Sequence, residues 1–139
     1  MYLAQKTGKF WAPKGDAHWR TVEWLMWQMA GFGPMLGQVH HFLRGNKGKA
    51  PYAEERYLKE AVRLYGVLDR QLAKSEYMAG DYSIADIATW PWISRFEWQT
   101  MDLNRFPHVL RWYKAIAARP AVQKGYQVPV PQPDGIPMP

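Results

Sequence analysis

The adjacent histidines at positions 40 and 41 are the first side chains in this sequence that could do chemistry. Imidazole binds metal ions and transfers protons near neutral pH. Neighbouring residues on a helix point about 100° apart, however, so His40 and His41 cannot chelate one ion together. Because the chain contains no cysteine, thiolate metal ligands and a cysteine nucleophile are also excluded. We therefore predict no metal site and expect one packed and one surface histidine, either of which could line a pocket.

A second candidate pair, Ser83 and Asp86, belongs to the motif Ser-Ile-Ala-Asp. A nucleophilic serine would need a histidine partner and a strained turn, and the sequence contains no pattern typical of either. The spacing instead fits a capping box, with Asp in place of the usual Glu. In a capping box the Ser83 hydroxyl accepts from the N–H of Asp86, and the Asp86 carboxylate accepts from the N–H of Ser83. The sequence also lacks a P-loop and a GxGxxG motif, so we predict no catalytic residue.

Arg56 is a third candidate because it lies one turn into the helix that Pro51 is expected to open. A helix N-terminus favours anions, but an arginine at such a position is also commonly a solvated surface residue. The chain has a net charge of +6, and its basic residues are scattered rather than clustered. We therefore predict no nucleic-acid partner, whereas an anionic small molecule suits the charge.

Helical periodicity runs through most of the chain and predicts an all-α fold. Asp16 is a good N-cap for a first long helix that is apolar on most sides, as in helices buried in a bundle or at an interface. Pro34 predicts a kink in this helix. Further helices are expected over residues 51–74, from the capping box onward, and over 107–119.

The composition indicates a globular protein without a membrane span. The eight tryptophans and seven methionines are expected mainly in the core, although a kinked helix rich in them can also wall an apolar pocket. No apolar run is long enough to cross a bilayer, and the N-terminus lacks a signal peptide. We therefore expect no membrane partner and a cytoplasmic location.

Four stretches of this sequence resemble the C-terminal domain of bacterial glutathione transferases of the Nu class, which are relatives of the fungal nitrogen-regulation prion protein. The stretches are WLMWQMAGFGPMLGQVHHF (residues 24–42), PYAEERYLKEAVRLYGVLDRQL (51–72), AGDYSIADIATWPW (79–92) and FPHVLRWYKAIAARPAV (106–122). The SIAD box occurs across many transferase classes. The combination of GPMLGQ with HHF is much more specific to this branch.

The resemblance implies three segments. Residues 1–15 are similar to the end of the last helix of the family's thioredoxin-like domain, followed by a linker. Residues 16–127 would form the helical bundle, and residues 128–139, with five prolines, an extended and unpacked tail. The rest of the thioredoxin-like domain would lie upstream of Met1. We therefore expect a fragment, a protein with a misplaced gene start, or one half of a split protein.

The resemblance also implies where glutathione would approach this domain. It places an arginine near glutathione at Arg56, and pocket-lining residues at Met35, Gln38 and His41. The residues that activate the glutathione thiol belong to the missing domain, so they cannot be assigned here.

Two functions follow from this comparison. In the first, an intact parent conjugates glutathione to an electrophile or reduces a disulfide with glutathione. This chain would then supply the hydrophobic-substrate wall, one anion contact and part of a homodimer interface, and it would be inactive alone. In the second, the chain is a non-catalytic protein-interaction module with the same fold.

Overall fold

Helices form the framework of the computed structural model, which describes residues 1–139. There are seven α-helices: α1 (Tyr2–Thr7), α2 (Asp16–Trp27), α3 (Gly33–Val39), α4 (Pro51–Leu72), α5 (Ile84–Ile93), α6 (Pro107–Ala117) and α7 (Pro120–Tyr126). The only β-type pairings are two isolated bridges in the turn before α5. The predicted all-α fold is therefore confirmed. No helix combines the length and the apolar character needed to span a membrane.

The first long helix changes its geometry at Pro34 without ending there. After α2 the chain forms a turn of π-helix at Gln28–Phe32, and α3 follows directly. Proline has no N–H and clashes with the carbonyl four residues earlier, so it cannot continue an ordinary α-helical ladder. That carbonyl belongs to Ala30, inside the π-helical turn. The disturbance expected at Pro34 thus takes the form of a wider turn just before it, and a second π-helical turn, His40–Gly45, ends the helix.

Helices α4 and α6 cap each other's ends. Asp69 of α4 accepts from the first N–H groups of α6, those of His108 (2.9 Å) and Val109 (3.0 Å). In return, Arg111 of α6 donates to the carbonyl of Leu72 at the end of α4 (3.0 Å). The negative charge of Asp69 lies at the N-terminus of α6, and the positive charge of Arg111 lies at the C-terminus of α4. Both charges have the sign that the helix dipole favours. Helices α4 and α6 are therefore joined by polar contacts as well as by packing.

The core lies between α3, α4, α5 and α6. Its largest fully buried side chains are aromatic: Trp112, Tyr65, Tyr113 and Phe32. One apolar stripe of α4 faces this core, since Ala61, Leu64, Tyr65, Leu68 and Leu72 are all buried and Tyr57 packs at its edge.

Helix α2 is less buried than its apolar sequence predicts. Leu25 and Thr21 face the bundle, but Trp19 is 67% exposed and Met26 45%, and Met29 in the π-helical turn that follows is 59% exposed. The bundle therefore covers only one side of the helix, and the other side exposes large apolar side chains. The sequence predicts that such a helix is buried in a bundle or at an interface. The bundle buries one side of it, and burial of the other side at an interface stays a prediction.

The prediction of an unpacked tail is wrong for the end of the tail, although residues 128–134 are exposed. The Tyr113 hydroxyl donates to the carbonyl of Pro137 at 2.6 Å, and Ile136 packs against the core cluster. Tyr113 is fully buried, and a buried phenol needs a hydrogen-bond acceptor. The end of the chain returns to provide that acceptor, although five prolines keep it extended.

Candidate functional site

A groove of about 580 Å³ lies along the first half of α4, between Tyr52 and Arg63, and faces α3. Met35 of α3 and Arg56 of α4 both line it, so the structure brings together two of the predicted site residues. The remaining lining residues all belong to α4: Tyr52, Glu55, Tyr57, Lys59, Glu60 and Arg63. Pro51 is the first residue of α4, and the part of the helix that follows it contributes polar and aromatic side chains to the groove. The ring of Tyr57, which lines the groove, also stacks on the ring of Phe42, with the two ring centroids 5.4 Å apart.

Arg56 carries the uncompensated charge of this groove. Lys59 pairs with Glu55, and Arg63 binds Glu60 through two hydrogen bonds of 2.7 Å. These donors lower the pKa of both carboxyl groups, with a smaller contribution from Arg56 at Glu60. Arg56 itself is exposed and forms no ion pair or hydrogen bond. The groove therefore has one excess positive charge, on a guanidinium whose donors are all free.

Gln38 and His41 lie outside the lining of this groove. Both are exposed, and His41 contacts only its own turn, where the Asn46 amide donates to the His41 carbonyl at 3.1 Å. Gln38 lies one turn after Met35, which places the two on the same face of α3. Their contact with a ligand stays a prediction.

The other histidine, His40, is part of a buried polar network that the sequence did not reveal. Its Nε2 lies 3.0 Å from Nε2 of Gln99, whose amide also donates to the Trp92 carbonyl at 2.7 Å. The Gln99 oxygen accepts from the Tyr65 hydroxyl at 2.6 Å. Since the amide nitrogen can only donate, His40 Nε2 must accept, and its proton lies on Nδ1. Burial lowers the pKa of His40, and Arg44 and Arg95 lower it further. His40 and His41 are thus the packed and the surface histidine, respectively.

Ser83 and Asp86 form the predicted capping box at the start of α5. The Ser83 hydroxyl accepts from the N–H of Ala85 (3.3 Å), and Asp86 Oδ2 accepts from the N–H of Ser83 (3.0 Å). Asp86 Oδ1 has two further donors, the N–H of Met78 (3.0 Å) and the indole of Trp112 (2.8 Å). The Ser83 hydroxyl also donates to Asp86 Oδ2 (3.2 Å). Burial raises the pKa of Asp86, and these four hydrogen bonds oppose that rise. Because both carboxylate oxygens of Asp86 accept hydrogen bonds, Ser83 and Asp86 have a structural role.

No group of three or more His, Asp or Glu side chains is arranged to hold a metal ion.

These features define an all-helical domain with an open, cationic groove. Residues 51–115 match the family model of the glutathione S-transferase C-terminal domain. The disulfide-bond oxidoreductase YfcG of Escherichia coli (strain K12) is 47% identical over 122 residues, which are 87% of this chain and 57% of that protein. The disulfide-bond oxidoreductase YghU of the same organism is 39% identical over 134 residues, covering 90% of this chain and 46% of YghU. This chain therefore belongs to the glutathione transferase family, as a C-terminal domain, and it spans about half the length of these relatives.

Solved structures of similar proteins contain glutathione. A family member from Pseudomonas fluorescens with two glutathiones bound shares 42% identity, with a TM-score of 0.81 over 89% of this chain and 58% of that one. A glutathione transferase from Pseudomonas putida with one glutathione disulfide per subunit shares 40% identity, with a TM-score of 0.86 over 92% and 59%.

Proposed function

We propose that this chain is the C-terminal domain of a Nu-class glutathione transferase that conjugates glutathione to electrophiles or reduces disulfides with glutathione. The observation that carries the proposal is Arg56, the one groove cation without a carboxylate partner. Glutathione has two carboxylates at neutral pH, and a guanidinium can hold one of them through paired hydrogen bonds. Glutathione in the similar solved structures, and the disulfide chemistry in the names of the E. coli relatives, support the same reading.

In this proposal the groove supplies contacts and the ligands supply the reacting atoms. Arg56 holds the anionic end of glutathione, while Met35 and the aromatic rings of Tyr52 and Tyr57 wall the less polar partner. In disulfide reduction, a glutathione thiolate attacks a substrate sulfur, a mixed disulfide forms and the other sulfur leaves as a thiolate. All of these sulfur atoms belong to glutathione and substrate, so a domain without cysteine is compatible with the reaction.

We further propose that the thiol-activating groups lie in a thioredoxin-like domain, and that residues 1–15 are the end of its last helix and the linker that follows. These 139 residues contain no sheet of the kind that such a domain is built on. The chain alone should therefore show no glutathione conjugation or disulfide reduction above background in a steady-state assay. Turnover that scales with the concentration of this chain would contradict that statement.

Arg56→Ala tests the proposed glutathione contact, and Arg63→Ala is its matched control. Both changes remove one guanidinium from the same groove, but Arg63 is already neutralised by Glu60. Charge-assisted hydrogen bonds contribute about 1.5–3 kcal/mol, and the groove is open to solvent, so Arg56→Ala should weaken glutathione disulfide binding about tenfold. Isothermal titration of this chain, beside a thermal melt of each variant, measures both affinity and stability.

The proposal requires that Arg63→Ala binds like the wild type and that Arg56→Lys recovers only part of the loss, because an ammonium lacks the paired donors. Equal losses in both alanine variants would show that the groove acts only through its overall charge. Unchanged affinity in Arg56→Ala would remove this residue from the site.

The second candidate function is a non-catalytic interaction module, and the exposed apolar side of α2 favours it. Trp19, Met26 and Met29 are large apolar side chains exposed along one helix, and exposed apolar patches often mark protein interfaces. The same surface would serve a homodimer or the packing of a thioredoxin-like domain in the first proposal. Failure of the chain to bind glutathione or glutathione disulfide at millimolar concentration would favour the interaction module.

A further inference from the structure

A second cavity, of about 470 Å³, lies between α5, α7 and the first residues of the tail. It shares no lining residue with the groove at Arg56. Its walls are mostly aromatic and aliphatic, with Tyr82, Trp90, Tyr126, Ile116 and Val122 among them. Its volume falls within the range of about 300–1,000 Å³ that is usual for small-molecule sites.

The chain's own tail closes one side of this cavity. Val128, Pro129 and Gln132 line it. Two hydrogen bonds between Gln127 and Gln132, of 2.8 and 3.4 Å, hold this turn of the tail in place. The contact between Tyr113 and Pro137 anchors the tail further on. The cavity is therefore a formed feature of this domain rather than a gap beside a loose end.

Arg95 is the only charged residue that lines the cavity. It is half-buried and forms no ion pair. One nitrogen donates to the Tyr126 hydroxyl at 2.9 Å, and the guanidinium lies 4.8 Å from the ring centre of Trp98. These contacts fix the group's position, yet four of its five N–H donors have no protein acceptor. A positioned cation without a carboxylate, beside an apolar cavity, is complementary to an anion that carries an apolar body.

The geometry points to a second ligand site, in which this cavity binds a small aromatic carboxylate or sulfonate with its anionic group on Arg95 and its ring against Trp90 and Tyr126. A guanidinium holds such oxyanions through paired hydrogen bonds, and offset or edge-on stacking suits the aromatic walls. Glutathione is a poor match, because its ammonium group would find no carboxylate among the lining residues. The site is therefore distinct in ligand chemistry from the one at Arg56.

The probe pair 2-naphthoate and 2-naphthamide tests this assignment, since the two differ chiefly in charge. Isothermal titration of the whole chain should detect tighter binding of the naphthoate than of the amide. Arg95→Gln should weaken naphthoate binding about tenfold and leave amide binding unchanged, because only the charge-assisted bonds are lost. Arg44→Gln is the matched control: its guanidinium also stacks on Trp98, 3.5 Å from the ring centre, but it does not line the cavity.

Gly125→Leu provides a test that does not depend on Arg95. Gly125 is an exposed residue that lines the cavity from α7, and an added Cβ would meet no atom within 4 Å, so we expect a larger side chain to be accommodated there and to reduce the space for a ligand. It should abolish binding of both probes while the melting temperature holds or rises. Equal naphthoate affinity in wild type and Arg95→Gln would overturn the assignment. So would naphthoate binding that survives Gly125→Leu or disappears in Arg56→Ala.

Discussion

The indole nitrogen of Trp112, in the middle of α6, donates to Oδ1 of Asp86 at the start of α5, over a distance of 2.8 Å. The same oxygen accepts from the N–H of Met78, and the second carboxylate oxygen accepts from Ser83. One buried carboxylate thus joins the turn before α5, the first turn of α5 and the centre of α6. Its role is larger than that of a helix cap.

Asp86→Ala should therefore destabilise the domain much more than Ser83→Ala. Loss of the Ser83 hydroxyl removes a cap, which costs about 1 kcal/mol. Loss of the Asp86 carboxylate leaves at least two buried donors without an acceptor, at about 1–3 kcal/mol each. Urea unfolding of both variants measures the difference in free energy. Equal midpoints would show that the contacts to Met78 and Trp112 contribute little.

Gly33→Ala should also lower stability, by about 1–3 kcal/mol, because the site is overpacked. A Cβ on Gly33 would lie 2.7 Å from Nε2 of Gln28, which is buried, and 3.0 Å from the Trp92 indole, which packs against the core. Gly31→Ala, in the same helix, is the control, since its Cβ would meet nothing within 4 Å. The control should be neutral or slightly stabilising because alanine favours a helix. A similar change in the two melting temperatures would rule out the steric argument.

The stability of the domain should fall on mild acidification because of His40. Its pKa in the folded chain is lowered from 6.5, so the unfolded chain takes up the proton first as the pH falls. The contribution of a neutral His40 is therefore fully present above pH 6.5 and is lost as the pH falls through the folded value. Protonation would also set an N–H of His40 against the Gln99 amide.

Thermal melts between pH 8 and pH 5 would measure this effect. His40→Gln keeps an acceptor oxygen for Gln99 without titrating, so it should flatten the dependence of the melting temperature on pH. His41→Gln, at the exposed neighbour, should leave it unchanged. An identical slope in wild type and His40→Gln would assign the pH dependence to other groups.

The exposed side of α2 should make the chain self-associate. Trp19 and Met29 are more than half exposed on a helix whose other side is packed, and such a patch is usually covered. Light scattering at high concentration should report a mass above that of one chain, and Trp19→Glu should reduce it. Val130→Glu, a comparable change on the exposed tail, should have no effect. A monomeric wild type would contradict the prediction.

The parts of this structure that the sequence predicts are those specified by local pattern. The stripe on α4, the start of α5 at Ser83 and the disturbance before Pro34 each depend on residues within a turn or two of each other. The Trp112–Asp86 contact joins residues 26 positions apart, and the His40–Gln99 contact joins residues 59 apart. No spacing rule connects such pairs, because only the packed fold brings them together.

The candidate site shows the same division. The resemblance to transferases marked Arg56 and Met35, and the structure places both on one groove. It could not show that Arg63 and Lys59 are neutralised while Arg56 is not, because ion pairing depends on side-chain geometry. The tail was mispredicted for a related reason: prolines indicate an extended chain, but they do not indicate the buried tyrosine that the chain returns to meet.

The π-helical turn at Gln28–Phe32 sets the rotational phase of everything that follows it in the helix. Before the turn, α2 packs on α5, and after it, α3 packs on α4. Each residue of an α-helix advances the side chains by about 100°, so inserting one residue here would swing Leu36 from full burial toward solvent and Met35 away from Arg56. A single deletion differs, because a π-helical turn already holds one residue more than an α-helical turn and can revert to α-helix without changing that phase. Insertions in this segment should therefore be far less tolerated than single deletions.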